Sequence, residues 1–326
     1  MNKVCEILGT RYPIIQGAMA RIADSALAGA VSGGGGLGII AAGGASGDWL
    51  REQIKKAREI TDKPFGVNIM LLALNVEELM DVVIEEKIPV VTTGAGNPSQ
   101  YIPRLKAHGI KVVPVVSNIA LARRVERAGA DAVVAEGREA GGHIGETTTM
   151  ALVPQMVDAL KIPVIAAGGI ADGRGIAAVS MLGAQGIQVG TRFIVAKECT
   201  VAQTYKDAIL RAKDSSTVET GRSTGHPVRV IKNKLARQIL QLEKQNADEE
   251  TINQLCTGTL GKAVVDGDVD YGSVMSGQIA GLVNKEQPAA EIIEEMFKEA
   301  AEINENRNCI CRTGGSVPGH GKGSLR

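Results

Sequence analysis

Aromatic side chains are scarce: one Trp, four Tyr and three Phe in 326 residues. A core without large rings must be filled by Ala, Val, Ile and Leu, and the 44% hydrophobic content allows that. Net charge is missing as well. Thirty-six Lys and Arg balance 36 Asp and Glu, so no global field draws nucleic acid or membrane. No apolar run approaches the roughly 20 residues that span a bilayer. The opening MNKVCEILGTRYP has no signal-peptide core. Cys5, Cys199, Cys256, Cys309 and Cys311 are scattered, so neither a disulfide framework nor a zinc pattern emerges. Cys309 and Cys311, even with His320, lack a second ligand pair, and no metal site is expected. A reducing cytoplasm is the simplest compartment.

Glycine, by contrast, is abundant, at 40 residues without a collagen-like period. Short β-branched runs recur and end in small or polar residues: YPIIQGAM, GLGIIAAG, PFGVNIM, PVVTTGAG, KVVPVVS, DAVVAEG, PVIAAGGI and GIQVGTRF. Helix-like stretches such as WLREQIKKAREIT and IALARRVERAG lie between them. The strand runs are continuously apolar, as parallel strands covered by helices should be. Eight strand–helix units within residues 1–198 predict an α/β fold, a (β/α)8 TIM barrel. A doubly wound open sheet would use the same alternation. Gly33, Gly35 and Gly38 satisfy G-x-G-x-x-G, but they follow a helix and precede a strand. A dinucleotide loop needs the reverse, so they are read as a helix end and a tight turn.

In a barrel the chemistry sits at the C-terminal strand ends. These ends carry Gln16 and Ala18–Met19 (first strand), Asn68 (third), Glu136 running into Gly141-Gly142-His143 (sixth), Gly168-Gly169 (seventh) and Gly190-Thr191 (eighth). Glycines after the seventh and eighth strands let backbone N–H groups approach a phosphate, and Thr191 adds a hydroxyl. The amides Gln16, Asn68 and Gln188 can match the donor and acceptor edge of a flavin, which points to FMN more than to a sugar phosphate. His108, before Gly109, reads as a helix C-cap. His226, in a glycine-flanked turn before Pro227, is a candidate substrate-loop residue.

These residues carry a resemblance. YPIIQGAMA (12–20), PFGVNIM (64–70), VVTTGAGNPS (90–99), AEGREAGGHIG (135–145), PVIAAGGIADG (163–173), QVGTRF (188–193) and GSVMSGQIAGLV (272–283) resemble the FMN-dependent enoyl-acyl-carrier-protein reductase II family. That family lies within the nitronate monooxygenase-like flavoprotein barrels, and the likeness covers about residues 1–303. AGGHIG is common to both subfamilies, whereas SVMSGQIAGLV looks more like the reductases. The resemblance implies FMN contacts from Ala18, Met19, Asn68, Gly141, Gly142, Gly168, Gly169, Gln188, Gly190 and Thr191. Ser276 and Gln278 are expected near the ring edge, and His143 matches the family's active-site histidine. Also implied are NADH or NADPH as electron donor, an enoyl thioester on acyl carrier protein as substrate, a homodimer, and dependence on a monovalent cation. A nitronate monooxygenase using the same FMN and His143 is the alternative.

Residues 199–271 break the rhythm and read as a cap inserted after the eighth strand, over the flavin. The barrel domain is then 1–198 with 272–303. From Gly221 to Leu242 there is no acid, while Arg222, Arg229, Lys232, Lys234 and Arg237 appear. A basic face there would steer an acidic carrier protein; the alternative is an ordinary solvated helix face. Residues 304–326 read as a polar, glycine-rich, disordered tail.

Overall fold

The chain, as a computed structural model, is described for residues 2–313. Eight strands lie parallel in one sheet: β1 (Ile14–Gln16), β2 (Ile39–Ala41), β3 (Gly66–Met70), β4 (Val90–Gly94), β5 (Lys111–Val116), β6 (Val133–Glu136), and, after a two-residue strand β7 (Gly142–His143), β8 (Val164–Ala167) and β9 (Gly186–Val189). Their spatial order, β1-β9-β8-β6-β5-β4-β3-β2, leaves β1 and β2 at the two ends. Those ends meet. Ile15 bridges Leu37 in parallel, Gln16 N–H donates to the Leu37 carbonyl at 2.9 Å, and Leu37 N–H donates to the Ile14 carbonyl at 2.9 Å. The Gln16 side chain adds a stitch, since its Oε1 accepts from Ile39 N–H at 3.0 Å. The sheet is a closed (β/α)8 barrel, and the open doubly wound arrangement is excluded.

Alternation along each strand sorts the side chains into two layers. Ile15, Leu37, Ile39, Val90, Val113 and Val134 fill the barrel interior. Their neighbours, such as Ile40, Val67, Val91, Val112 and Val133, face the surrounding helices. The helices begin where short polar side chains take up free N–H groups: Asp24 caps Ser25–Gly33, Asn118 caps Ile119–Arg127 and Asp172 caps Gly173–Met181. His108 ends the helix Ile102–Ala107, with Nδ1 3.0 Å from the Arg104 carbonyl. The G-x-G-x-x-G glycines serve packing: a Cβ on Gly38 would lie 1.9 Å from the Ala28 carbonyl oxygen, so only glycine lets strand and helix approach this closely.

After β9 the chain forms a helix (Gln203–Leu210), a hairpin of β10 (Thr217–Thr220) and β11 (Val228–Ile231), and helices Lys234–Lys244, Glu249–Cys256 and Thr259–Val264. The independent core of this segment is small: Leu235, Ile239 and Ile252. Cys199, Val201, Tyr205, Ile209, Ala263 and Val264 instead join the core that packs outside the barrel. Helix Ala289–Thr313 closes the wall, packing on Ser25–Gly33 and Gly173–Met181. It continues ten residues into the stretch expected as a tail; residues 314–326 lie outside the described part of the chain.

Candidate active site

The C-terminal strand ends open into a cavity of about 470 Å³. Ten of the predicted cofactor residues line it together: Ala18, Met19, Asn68, Gly141, Gly142, Gly168, Gly169, Gln188, Gly190 and Thr191. Ser276 and Gln278 do not. Met275 and Gly277 face the cavity, so alternation of the extended chain turns Ser276 into the protein, where its hydroxyl is buried without a partner, and leaves Gln278 exposed. Gln16 is a further departure. Fully buried, it closes the barrel rather than facing the cavity.

A fit to a phosphate-bearing flavin can be judged from the wall. Gly168 and Gly169 both adopt left-handed backbone, at φ 86° and 77°. Consecutive residues of this kind point N–H groups into one concavity suited to an anion. Within the described residues the N–H groups of Gly168, Gly169 and Gly190 have no internal acceptor. A Cβ on Gly168 would sit 2.8 Å from the Gly137 carbonyl oxygen, so the turn tolerates no side chain. Asn68 donates to Thr92 Oγ1 at 3.0 Å, which fixes its amide and leaves its carbonyl oxygen available. The Gln188 amide, at the rim of the barrel interior, has no protein partner among the described residues and faces the cavity. Thr191 is less available than expected, because its Oγ1 accepts from Gly277 N–H at 2.9 Å; the hydroxyl proton can still be donated.

His143 is not held in a loose turn. As part of β7 it pairs with Val228 of β11, and Gly142 pairs with Arg229. Ile144 N–H donates to the Pro227 carbonyl at 3.1 Å. The cap hairpin thus clamps the histidine over the cavity. An ion cluster locks the clamp. Glu219 of β10 takes two bonds of 2.8 Å from Arg138, in the sixth-strand loop, and further bonds from Arg222 and buried Arg229. Arg229 also donates to the Arg138 carbonyl at 3.1 Å. Hydrogen bonds from Arg138 hold the Glu219 carboxyl down to about 2. Glu139 anchors the other side of the loop, accepting from the N–H and hydroxyl of Thr149, both at 2.9 Å.

Besides lining the cavity, Gly141 has a packing role. A Cβ on Gly141 would lie 2.6 Å from Gly277 N and from Ser276 C, so it is the 275–277 segment that demands glycine. That segment is secured by a bridge from Met275 to Val230, by Tyr205 hydroxyl on the Met275 carbonyl at 2.8 Å, and by Gln278 N–H on the Glu139 carbonyl at 2.9 Å.

Four ionisable side chains line the cavity: Glu136, Glu139, His143 and His226. Although the His143 ring is exposed at the cavity mouth, partial desolvation against the wall lowers its pKa below the usual 6.5, and a charge on His226 lowers it further. His226 reaches the site because the turn between β10 and β11 folds it back over the mouth. Its sequence signal was only a histidine between glycine and proline. Glu136 enters from the end of β6 with no hydrogen-bond or ion-pair partner among the described residues, and burial raises its pKa to about 7. Among the described residues no group of three His, Cys, Asp or Glu is placed to hold a metal ion.

The expected basic face is largely neutralised. Arg222 and Arg229 are bound by Glu219, Lys232 donates to the Ser215 carbonyl at 2.6 Å, and Lys234 pairs with Asp270 at 2.9 Å. Arg237 is exposed and has no ion pair among the described residues. Glu219, just before the acid-free stretch, and Asp270, 36 residues beyond Lys234, supply the balancing charge.

A closed parallel barrel, glycine N–H groups without internal acceptors after its seventh and eighth barrel strands, amides at the cavity wall and an imidazole clamped above them place this chain among (β/α)8 barrels with a polar site at their C-terminal strand ends. Comparison with known proteins agrees. The nitronate monooxygenase family model matches residues 2–83 and 72–299. The chain belongs to this family of flavin-dependent oxidoreductases. A structure of FabK from Thermotoga maritima superposes with a TM-score of 0.93 at 49% identity, covering 95% of this chain and 99% of that one. A probable nitronate monooxygenase from Staphylococcus saprophyticus is 36% identical over 93% of this chain and 98% of its own. A nitroalkane oxidase from Streptomyces ansochromogenes superposes at TM-score 0.84 and 29% identity, over 94% of this chain and 99% of that one. No described helix is long and apolar enough to cross a membrane.

Proposed function

We propose that the protein is an FMN-dependent enoyl-thioester reductase, taking electrons from NADH or NADPH and acting on trans-2-enoyl chains carried by acyl carrier protein. The observation that carries this reading is the likeness to FabK, an enoyl-acyl-carrier-protein reductase II. It covers 95% of this chain at 49% identity, more than the barrel alone could supply. Gly168, Gly169, Gly190 and Thr191 would hold the phosphate, and Asn68 and Gln188 the polar edges of the ring. Bound there, a flavin supplies hydride chemistry.

The protein's own part is positioning and charge. Reduction of a 2,3-unsaturated thioester places negative charge on the thioester oxygen and requires a proton at the α-carbon. Partial desolvation and His226 push the His143 pKa down, which favours the neutral imidazole. A neutral imidazole keeps one N–H to donate to that oxygen while charge gathers there. Ile279, Leu260 and Leu72 line the same cavity and offer apolar surface to an acyl chain. The family model and the Staphylococcus relative favour a second reading, oxidation of nitroalkanes through their nitronates, with His143 as the base that would take the α-proton of the nitroalkane, for which a neutral imidazole is equally suited.

One experiment separates them. Reduced flavoprotein, mixed anaerobically with a crotonyl thioester, is reoxidised at a catalytic rate under the first reading. If the thioester leaves the flavin reduced while a nitronate drives oxygen uptake in air, the second reading stands.

A further inference from the structure

Glu136 is the one cavity-lining carboxylate without a role in the architecture. Glu139 is consumed by Thr149. Glu136 has no donor, cation or capped N–H among the described residues. Its direction follows from β6. Val134, two residues earlier, points into the barrel interior, whereas Val133 and Ala135 point to the helices. Glu136 therefore rises from the interior layer into the cavity floor. The flanking strands offer it only uncharged surface: Val115, Val116 and Ser117 from the end of β5, Ala167 and Gly168 from the end of β8. The other ionisable groups facing the cavity are Glu139 on the same loop, His143 on β7 and His226 on the hairpin turn. No lysine or arginine lines the cavity.

A carboxylate left ionised in such surroundings is costly, and the group takes a proton instead. Its titration near pH 7 reflects burial alone. A ligand that displaces cavity water strengthens this preference, and a flat ring rich in acceptor atoms gives a protonated carboxyl something to donate to. We propose that Glu136 is a cofactor-facing hydrogen-bond donor, held protonated when FMN is bound, so that flavin loading takes up a proton at this carboxyl. The proposal rests on the FMN assignment but not on which substrate is reduced.

The test is proton-linked binding. FMN is titrated into the flavin-free full-length protein, wild type and Glu136→Gln, from pH 6.5 to 8.5. Proton uptake is read from calorimetry in buffers of different ionisation heat. For the wild type, the apparent Kd rises by up to about tenfold per pH unit above 7, with uptake approaching one proton. Glu136→Gln loses that rise and that proton. Equal uptake by the two proteins overturns the proposal. Should Glu136→Gln fail to bind FMN, infrared spectra of the wild-type holoprotein at pH 8 decide. A protonated-carboxyl band that shifts in Glu136→Asp supports the assignment, and absence of any such band in the wild type overturns it. A chain that binds FMN with this proton uptake but reduces no thioester overturns only the proposed function; one that binds no FMN overturns both.

Discussion

His143 stands in antiparallel register with Val228, so the cavity's imidazole is part of a β-ladder that belongs half to the barrel and half to the cap. This imidazole is therefore placed by the hairpin as much as by its own loop. His143→Ala removes the donor while leaving the β7 backbone bonds intact. FMN content should be retained, and kcat with an enoyl thioester should fall by about 10²–10⁴-fold, the usual worth of a positioned proton-handling group. Retained FMN with unchanged turnover would remove His143 from the mechanism.

A charge on His226 opposes protonation of His143, which gives a pH prediction with a definite sign. Followed by NMR of its ring protons, His143 in the wild type should titrate below 6.5. In His226→Asn the opposing charge is gone, and the midpoint should move upward. Part of the depression should persist, because enclosure is its larger cause. A midpoint that falls or stays fixed would show that His226 does not act on it.

Glu219 should govern whether the hairpin stays seated. Its carboxyl is held at about 2 against an ordinary 4.5, so its stabilisation is fully present above about pH 4.5 and is lost as pH falls toward 2. That difference sets an upper bound of about 3 kcal/mol, reduced by solvent screening of the partly exposed cluster. Glu219→Gln leaves Arg138, Arg222 and Arg229 facing one another. Its Tm should drop by several degrees at pH 7 and converge with the wild type in acid. Hydrogen exchange should quicken at Ile144, whose N–H crosses to the hairpin. Equal Tm values at pH 7 would refute the ion cluster as the clamp.

The opposite sign holds for Glu136. A carboxyl with a raised folded pKa costs stability as pH rises from about 4.5 through 7, because the unfolded chain ionises first. In the flavin-free protein Glu136→Gln should therefore raise the Tm at pH 8 and leave it nearly unchanged at pH 4.5. The gain should be on the order of 1–3 kcal/mol. Thermal melts at the two pH values measure it, and a loss of stability at pH 8 would contradict the unpaired-carboxylate picture.

Gly141→Ala tests the seam between loop and wall. The new Cβ would meet Gly277 N at 2.6 Å, which is backbone and cannot swing aside. The cost should be about 1–3 kcal/mol, accompanied by loss of bound flavin on purification. Crystallographic or spectroscopic evidence of an undisturbed, fully loaded site would show that the seam yields more easily than its geometry implies.

The barrel was legible because its determinants are local. Eight apolar runs, helical stretches between them and short polar caps such as Asp24 and Asp172 are properties of neighbouring residues. So is the turn after the seventh barrel strand, since Gly168 and Gly169 both adopt left-handed backbone. Less legible was anything that depends on residues meeting across the fold. Gln16 read as a ligand amide, yet barrel closure consumes it. Ser276 read as a ring-edge contact, yet the alternation of a segment secured by Val230 and Tyr205 turns it inward. The cluster of Arg222, Arg229, Lys232 and Lys234 read as a basic face, although Glu219 and Asp270 were present in the same sequence.

By itself, then, the sequence determined the repeating strand–helix architecture, the glycine turns at its carboxyl ends and the placement of His143 in the loop after the sixth barrel strand. Periodicity and backbone permissiveness act over a few residues, and these features need nothing more. Only the tertiary structure decided that a hairpin more than 80 residues away clamps that histidine, that His226 joins it, and that Glu136 lacks a partner. Pairing, desolvation and charge balance depend on which distant groups share a few ångströms of space, and no local pattern encodes that.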